Sequence, residues 1–267
     1  MRFHGKDDRR RVATGVRVSF SFILFIAALL VSPWLQMRAS SQQPGASTAL
    51  GKAPLSEEQV VDSLLAMNLE RAYALHAYQG TRSYLLQYHG FAGTRSATMV
   101  VDLKYQSPRT KEFTIRSSTG SKLIIGTVFK KLLQAEQEAL GVEAQKRTAL
   151  NRANYDFTLV GYDSTPSGSM YILGVKPRTK GKFLYRGRIW VEAEDFAVTR
   201  LEAQPAQNPS FWTKHSEIEE VYMKVGDFWL PARNHSITKI RFGGNAVLTI
   251  QYQNYKITSA DVLSKLR

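Results

Sequence analysis

Alternation of apolar and polar side chains dominates this chain. It is clearest across residues 154–257, which read as one antiparallel meander of strands about ten residues long joined by tight polar turns. Asn154-Tyr-Asp-Phe-Thr-Leu-Val-Gly, Tyr171-Ile-Leu-Gly-Val, Phe183-Leu-Tyr-Arg-Gly-Arg-Ile-Trp-Val and Ala246-Val-Leu-Thr-Ile-Gln-Tyr are its clearest strands. Pro166-Ser-Gly, Pro177-Arg-Thr-Lys-Gly, Glu194-Asp195 and Val225-Gly-Asp mark turns. Three more alternating strands precede the meander. Tyr84, Leu86 and Tyr88 share one face of the first, Ala97, Met99, Val101, Leu103 and Tyr105 one face of the second, and Phe113 and Ile115 one face of the third. Such alternation predicts one buried and one wet face, as in an open antiparallel sheet or a barrel wall.

Two segments switch to helical period. Ser56 and Gln59 form a capping box, with Leu55 and Val60 placed for a hydrophobic staple. Val60, Val61, Leu64, Leu65, Ala72 and Leu75 then make a wide apolar face, interrupted by Asn68. Val128, Phe129, Leu132, Leu133, Ala139 and Leu140 give a second stripe, with Gly141 as a stop or kink. The expected class is α+β, mainly β: an antiparallel sheet with one buried face, against which the amphipathic helices pack.

The N-terminus adds a destination. Basic residues precede an apolar run over residues 18–35, and small residues follow at Ala39 and Ser41, so 1–41 reads as a signal peptide cut after Ser41. The same run is about long enough to be retained as an anchor. Both readings export the remainder to the periplasm and differ only in tethering. Residues 42–54 read as a flexible spacer, 55–258 as the folded domain and 259–267 as a tail. The chain has no cysteine, which excludes disulfides, thiol nucleophiles, cysteine-based zinc sites and N-terminal lipidation. The formal charge of +14 falls to about +9 without the first 41 residues, favouring acidic partners such as anionic membrane surfaces. Export argues against nucleic acid.

Catalytic grammar is missing. His76, His89, His215 and His235 lack metal-binding spacing, and no nucleophile elbow, phosphate-binding loop or dinucleotide fingerprint occurs. Glu192, Glu194 and Asp195 read as a solvated hairpin tip, and Glu217, Glu219 and Glu220 as a strand rim. No catalytic residue, metal site or cofactor is expected. Sixteen of the 29 aromatic residues fall within 154–257, an excess that suits either strand core or the lining of a cavity. Lys176, Arg178, Lys180, Lys182, Arg186 and Arg188 cluster around one turn, either to dock an anionic surface or to keep a sheet edge in water.

The hairpin pattern resembles the LolA/LolB-like outer-membrane lipoprotein carrier (lipoprotein-sorting) superfamily, of which this chain looks like a divergent member. The resemblance spans roughly residues 56–258. It rests on Tyr105-Gln-Ser-Pro-Arg-Thr-Lys-Glu-Phe-Thr-Ile-Arg116, Gly120-Ser-Lys-Leu-Ile-Ile and Tyr171-Ile-Leu-Gly-Val-Lys-Pro177. It continues through Ile189-Trp-Val-Glu-Ala-Glu-Asp-Phe-Ala-Val-Thr-Arg200, Val225-Gly-Asp-Phe-Trp-Leu-Pro231 and the closing strand from Leu248 to Ile257. The resemblance implies a curved antiparallel sheet forming an incomplete half barrel, with helices covering its concave face, that takes lipid or lipoprotein acyl chains in the periplasm of a two-membraned bacterium. Lacking a lipidation cysteine, the chain departs from the membrane-anchored acceptor type, and no functional residue of the family transfers to it.

The function expected is a periplasmic binding protein, not an enzyme, that holds lipid or acylated lipoprotein in an apolar cavity and carries it between membranes. The expected cavity lies between Val60, Leu64 and Leu65 on the helix and Met99, Val101, Leu103, Phe113 and Ile115 on the sheet. The alternatives are an envelope sensor or scaffold acting through a partner protein, and a hydrolase of envelope lipids or glycans.

Overall fold

The computed structural model describes residues 54–263, except 91, 92, 109, 166, 167, 182, 209, 212 and 242. The expected signal peptide, spacer residues 42–53, the end of the tail and Lys182 therefore lie outside the described residues.

Helix α1 (Glu57–Ala74) starts where the capping box predicts. The Ser56 N–H donates to Gln59 Oε1 at 2.9 Å, and the Gln59 N–H donates to Ser56 Oγ at 3.3 Å. The chain then passes into strands β1 (Leu75–Gly90), β2 (Gly93–Gln106) and β3 (Thr110–Gly120). A π-helical turn (Ile124–Phe129) and helices α2 (Lys130–Glu138) and α3 (Val142–Thr148) follow. The remaining strands are β4 (Tyr155–Thr165), β5 (Gly168–Pro177), β6 (Tyr185–Glu192), β7 (Val198–Pro205), β8 (Thr213–Val225), β9 (Phe228–Ile240) and β10 (Asn245–Ala260).

All ten strands form one antiparallel sheet in the order β3-β2-β1-β10-β9-β8-β7-β6-β5-β4. The first strand thus pairs with the last, Tyr84 opposite Ile250 and Leu86 opposite Leu248. The sheet does not close: β3 and β4 are its two edges, and the segment joining them carries the π-helical turn, α2 and α3 across the concave face. The expected half barrel with helices on its concave face is the architecture of this chain.

Two apolar clusters fill that face. In one, Val60, Val61 and Leu64 of α1 pack on inner residues of β5 to β8 such as Leu173, Ile189, Val191 and Leu201. In the other, Ile124, Phe129, Leu132 and Leu133 pack on β1, β2 and β10 through Tyr84, Leu86, Met99, Val101 and Ile250. The inner face of β8 and β9 also carries polar residues, with Ser216, Glu220, Asn234, Ser236 and Thr238 buried beside Ile218 and Tyr222. Ser216 and Thr238 satisfy each other across the strands at 2.8 Å.

One seam of the sheet depends on a missing side chain. Gly187 of β6 lies opposite Ala203 of β7. A Cβ there would stand 2.1 Å from the Glu202 carbonyl oxygen and 2.7 Å from Ala203 Cα, both backbone atoms that cannot rotate away. Gly187→Ala is therefore expected to destabilise by about 1–3 kcal/mol, the usual cost of overpacking, read as a lower urea midpoint.

Candidate ligand-binding site

Alternation carries a charge into the interior of β1. Arg82 shares the inner face with Tyr78, Tyr84 and Leu86 and is only 3% exposed. It lies opposite Val101 on one side and Tyr252 on the other. Its guanidinium stacks on the rings of Tyr252, 5.0 Å from the centroid, and Phe113, 5.6 Å away. Glu136 of α2 receives it in a two-pronged pair, from Nη1 at 2.5 Å and from Nη2 at 2.9 Å. Lys111, on the inner face of β3, donates to Glu136 Oε1 at 2.7 Å. All three members of this triad are buried.

Burial alone would raise the Glu136 pKa, but the two cations and their hydrogen bonds outweigh it and hold the carboxyl at about 2. Burial likewise opposes charge on Lys111, yet attraction to Glu136 leaves its pKa raised. The triad carries two positive charges and one negative.

A second carboxyl sits nearby in a different state. Glu220 of β8 faces inward, 2% exposed, opposite Asn234 of β9. Burial pushes its pKa up to about 8, with Glu136 adding to the rise and Tyr222, Arg82 and Asn234 opposing it. At neutral pH it is mostly protonated.

The C-terminal half of α1 is fastened to the turn between β6 and β7. Arg71, buried, donates to the carbonyls of Asp195 at 2.7 Å and Phe196 at 2.9 Å, and to Asn68 Oδ1 at 3.1 Å. The Asp195 carboxylate accepts from Trp229 Nε1 at 2.9 Å and pairs with Lys224 at 2.5 Å. Burial would raise the Asp195 pKa, but these two hydrogen bonds win and lower it. Phe196 holds a positive φ of 47°, as a tight hairpin corner requires.

Beneath this fastening lies a cavity of about 90 Å³. Asn68, Arg71 and Ala72 form its α1 side, Leu75, Tyr78, Arg82, Tyr105 and Lys111 its floor on β1 to β3, and Tyr222, Trp229 and Leu230 its far wall. Among the described residues no carboxylate lines it. Two of its lining groups, Arg82 Nε and Asn68 Nδ2, are buried donors without a protein partner. The cavity therefore offers positive charge and hydrogen-bond donors framed by aromatic and aliphatic walls. It can orient an electron-rich group. The carboxyls near it, Glu136, Glu220 and Asp195, are not among its lining residues, and Asp195 is held by the lining Trp229.

The residues expected to face cargo are distributed differently. Val60, Leu64 and partly buried Leu65 belong to the cluster under α1, whereas Met99 and Val101 belong to the cluster under α2. Leu103 joins Tyr78, Tyr105 and Leu230 in a small third cluster, and Phe113 touches the second and third. Val60, Leu64, Met99, Val101 and Leu103 are at most 1% exposed, tightly packed, and none of them lines the cavity. Ile115 keeps its inner parity opposite Val101 but is 47% exposed, because edge strand β3 has no further strand beside it. The cavity beneath α1 combines mainly apolar walls with the cations Arg71, Arg82 and Lys111.

Of the basic cluster, Lys176, Arg178, Lys180, Arg186 and Arg188 are exposed. Arg178 pairs with Asp156 at 2.9 Å, Arg188 with Glu202 at 3.1 Å, and Arg186 reaches Gln204 at 3.4 Å. Exposed pairs of this kind hold their partners weakly. The histidines lie on strand surfaces: His76 meets Asp261, His89 Thr94, His215 Glu217 and His235 Thr249.

Sequence reasoning missed Arg82, Lys111 and Glu136, and read Glu220 as a strand rim and Asp195 as a solvated tip, whereas Glu220 is buried and the Asp195 carboxylate is held by Trp229 and Lys224. A usable signal existed for the strand residues. Each charge occupies the apolar parity of its strand, beside Tyr84, Phe113 and Tyr222 respectively.

No family model and no curated protein matches this chain. Solved structures similar to it include a DUF1329 family protein from Desulfovibrio piger, at 11% identity and a TM-score of 0.38 over 76% of this chain and 93% of that one. Another is a putative outer membrane lipoprotein-sorting protein domain from Vibrio parahaemolyticus, at 7% identity and 0.37 over 76% and 94%. A third is a LolA superfamily protein from Nitrosomonas europaea, at 11% identity and 0.34 over 78% and 96%.

Proposed function

We propose that this chain is an exported binding protein of the bacterial envelope that holds an amphiphile, a lipid or the acyl chain of a lipoprotein, against the concave face of its sheet. The observation that carries the reading is the arrangement of cover and cavity. The concave face is closed by helices, and no strand crosses it, so the cover can part while the β ladder stays whole. The donor-lined cavity lies between α1 and the sheet, where such a parting would begin.

Magnitudes support an exchange of cover for cargo. An acyl chain of about 16 carbons gains on the order of 12 kcal/mol on burial at about 0.8 kcal/mol per methylene, before ordering costs. Uncovering a handful of Val and Leu side chains costs about 1.5–3 kcal/mol each, a similar sum. The cavity, far below the roughly 300–1,000 Å³ of a drug-sized site, has room for a polar head and not for a whole chain. Among the described residues no helix is long and apolar enough to cross a membrane. The exposed cations around β5 and β6 would add about 1 kcal/mol each at an anionic membrane surface.

Purification under non-denaturing conditions, solvent extraction and mass spectrometry should recover lipid in stoichiometric amount. Protein that is lipid-free and also ignores fluorescent acyl probes would end the carrier reading and favour the partner-binding alternative.

A further inference from the structure

We propose that the cavity under α1 is a head-group site for an anionic oxygen group, a carboxylate or a phosphate, borne on an apolar tail. This inference rests on the carrier reading and names the end of the cargo that the protein recognises.

Three observations on the lining point the same way. Among the described residues Arg71, Arg82 and Lys111 contribute to the wall and no Asp or Glu does; the nearby Asp195 carboxylate is taken up by Trp229 and Lys224. Arg82 and Lys111 share a single carboxylate, Glu136, so one positive charge of the buried triad has no counter-charge within it. Two of the lining residues carry a buried donor without a partner, Arg82 Nε and Asn68 Nδ2, and Arg82 is buried at 3% exposure. Buried charges and donors are costly unless paired, and an oxygen anion answers both needs at once. A cation or a donor-rich ligand would worsen both.

Size and chemistry of the walls narrow the ligand further. About 90 Å³ is roughly three times the share of one water in the liquid, enough for a carboxylate or phosphate group. Tyr78, Tyr105, Trp229 and Leu230 surround the donors, so the anion would be held on an apolar approach. Leu103, Tyr105 and Leu230 continue as an apolar cluster on which a tail could advance.

The test compares ligands of equal tail on the full chain: dodecanoate, dodecyl phosphate and 1-dodecanol, with inorganic phosphate as the tail-free arm. Charge-assisted hydrogen bonds predict that the two anionic amphiphiles bind about ten- to a hundredfold tighter than the alcohol. Lys111→Met, which leaves the two-pronged Arg82–Glu136 pair in place and removes the triad's surplus charge, should lower that ratio about tenfold. Equal affinities for acid and alcohol on the unaltered protein would overturn the head-group site and leave the carrier reading standing. Binding of inorganic phosphate with none of the amphiphiles would keep the anion site and overturn the carrier reading. No binding of any of the four would overturn both.

Discussion

Glu136→Ala is expected to destabilise the protein by about 3–5 kcal/mol, the cost of leaving buried charge without its partner. Glu136 is the single anion between Arg82 and Lys111, whose side chains are 3% and 4% exposed. Without it, two like charges face each other in an interior that cannot hydrate them. Such a loss is a large share of the usual 5–15 kcal/mol of a folded domain. Replacing the whole triad with Met, Met and Leu should cost far less, since buried ion pairs seldom stabilise relative to well-packed apolar residues. Urea unfolding of both variants checks the pair of outcomes. A Glu136→Ala loss below about 1 kcal/mol, the scale of an exposed pair, would show that water reaches the triad.

The second large effect concerns pH. The carboxyl of Glu220 has a folded pKa of about 8 against an ordinary 4.5, so between those values the folded state holds a proton that the unfolded state has released. Stability must fall as pH rises through that window, by about 3 kcal/mol at pH 7. Glu136 works in the opposite sense. Its folded pKa of about 2 lies below 4.5, so its contribution is complete above 4.5 and is lost as pH falls towards 2. Together the two groups place the stability maximum near pH 4.5–5. Glu220→Gln removes the alkaline limb, and the variant should exceed the parent by about 3 kcal/mol at pH 7 while matching it at pH 4.5. Urea midpoints measured from pH 4 to pH 9 decide the matter. Parallel profiles for parent and variant would mean that Glu220 titrates normally.

These two carboxyls also mark where reading the chain succeeded and where it stopped. Period-two alternation placed Met99, Val101 and Leu103 inside, and the capping box placed the start of α1, because both signals are local. The same alternation, followed strictly, puts Arg82, Lys111 and Glu220 inside as well. They were passed over because a charge on a strand is ordinarily solvated, and Glu220 stands next to Glu219, which does face outward to Arg200 and Arg233. Asp195 could not be placed from its surroundings in sequence. The arginine that grips its backbone lies 124 positions away, and the tryptophan that binds its carboxylate lies 34 positions away.

The sequence by itself determined the mainly β class, the concave-face helices and which side of most strands is buried. Each is dictated by spacing within a few residues, where side-chain period and capping geometry act. Tertiary structure alone decided that β1 joins β10, that α1 and α2 cover separate apolar clusters, and that the space beneath α1 is lined with donors and cations. Alternation says which face a residue takes and not which strand lies beside it, and a counter-charge is chosen by that neighbour. The cavity's positive character arises from β1 and β3 meeting α2 at Glu136 and from Arg71 of α1, a juxtaposition that no local pattern encodes.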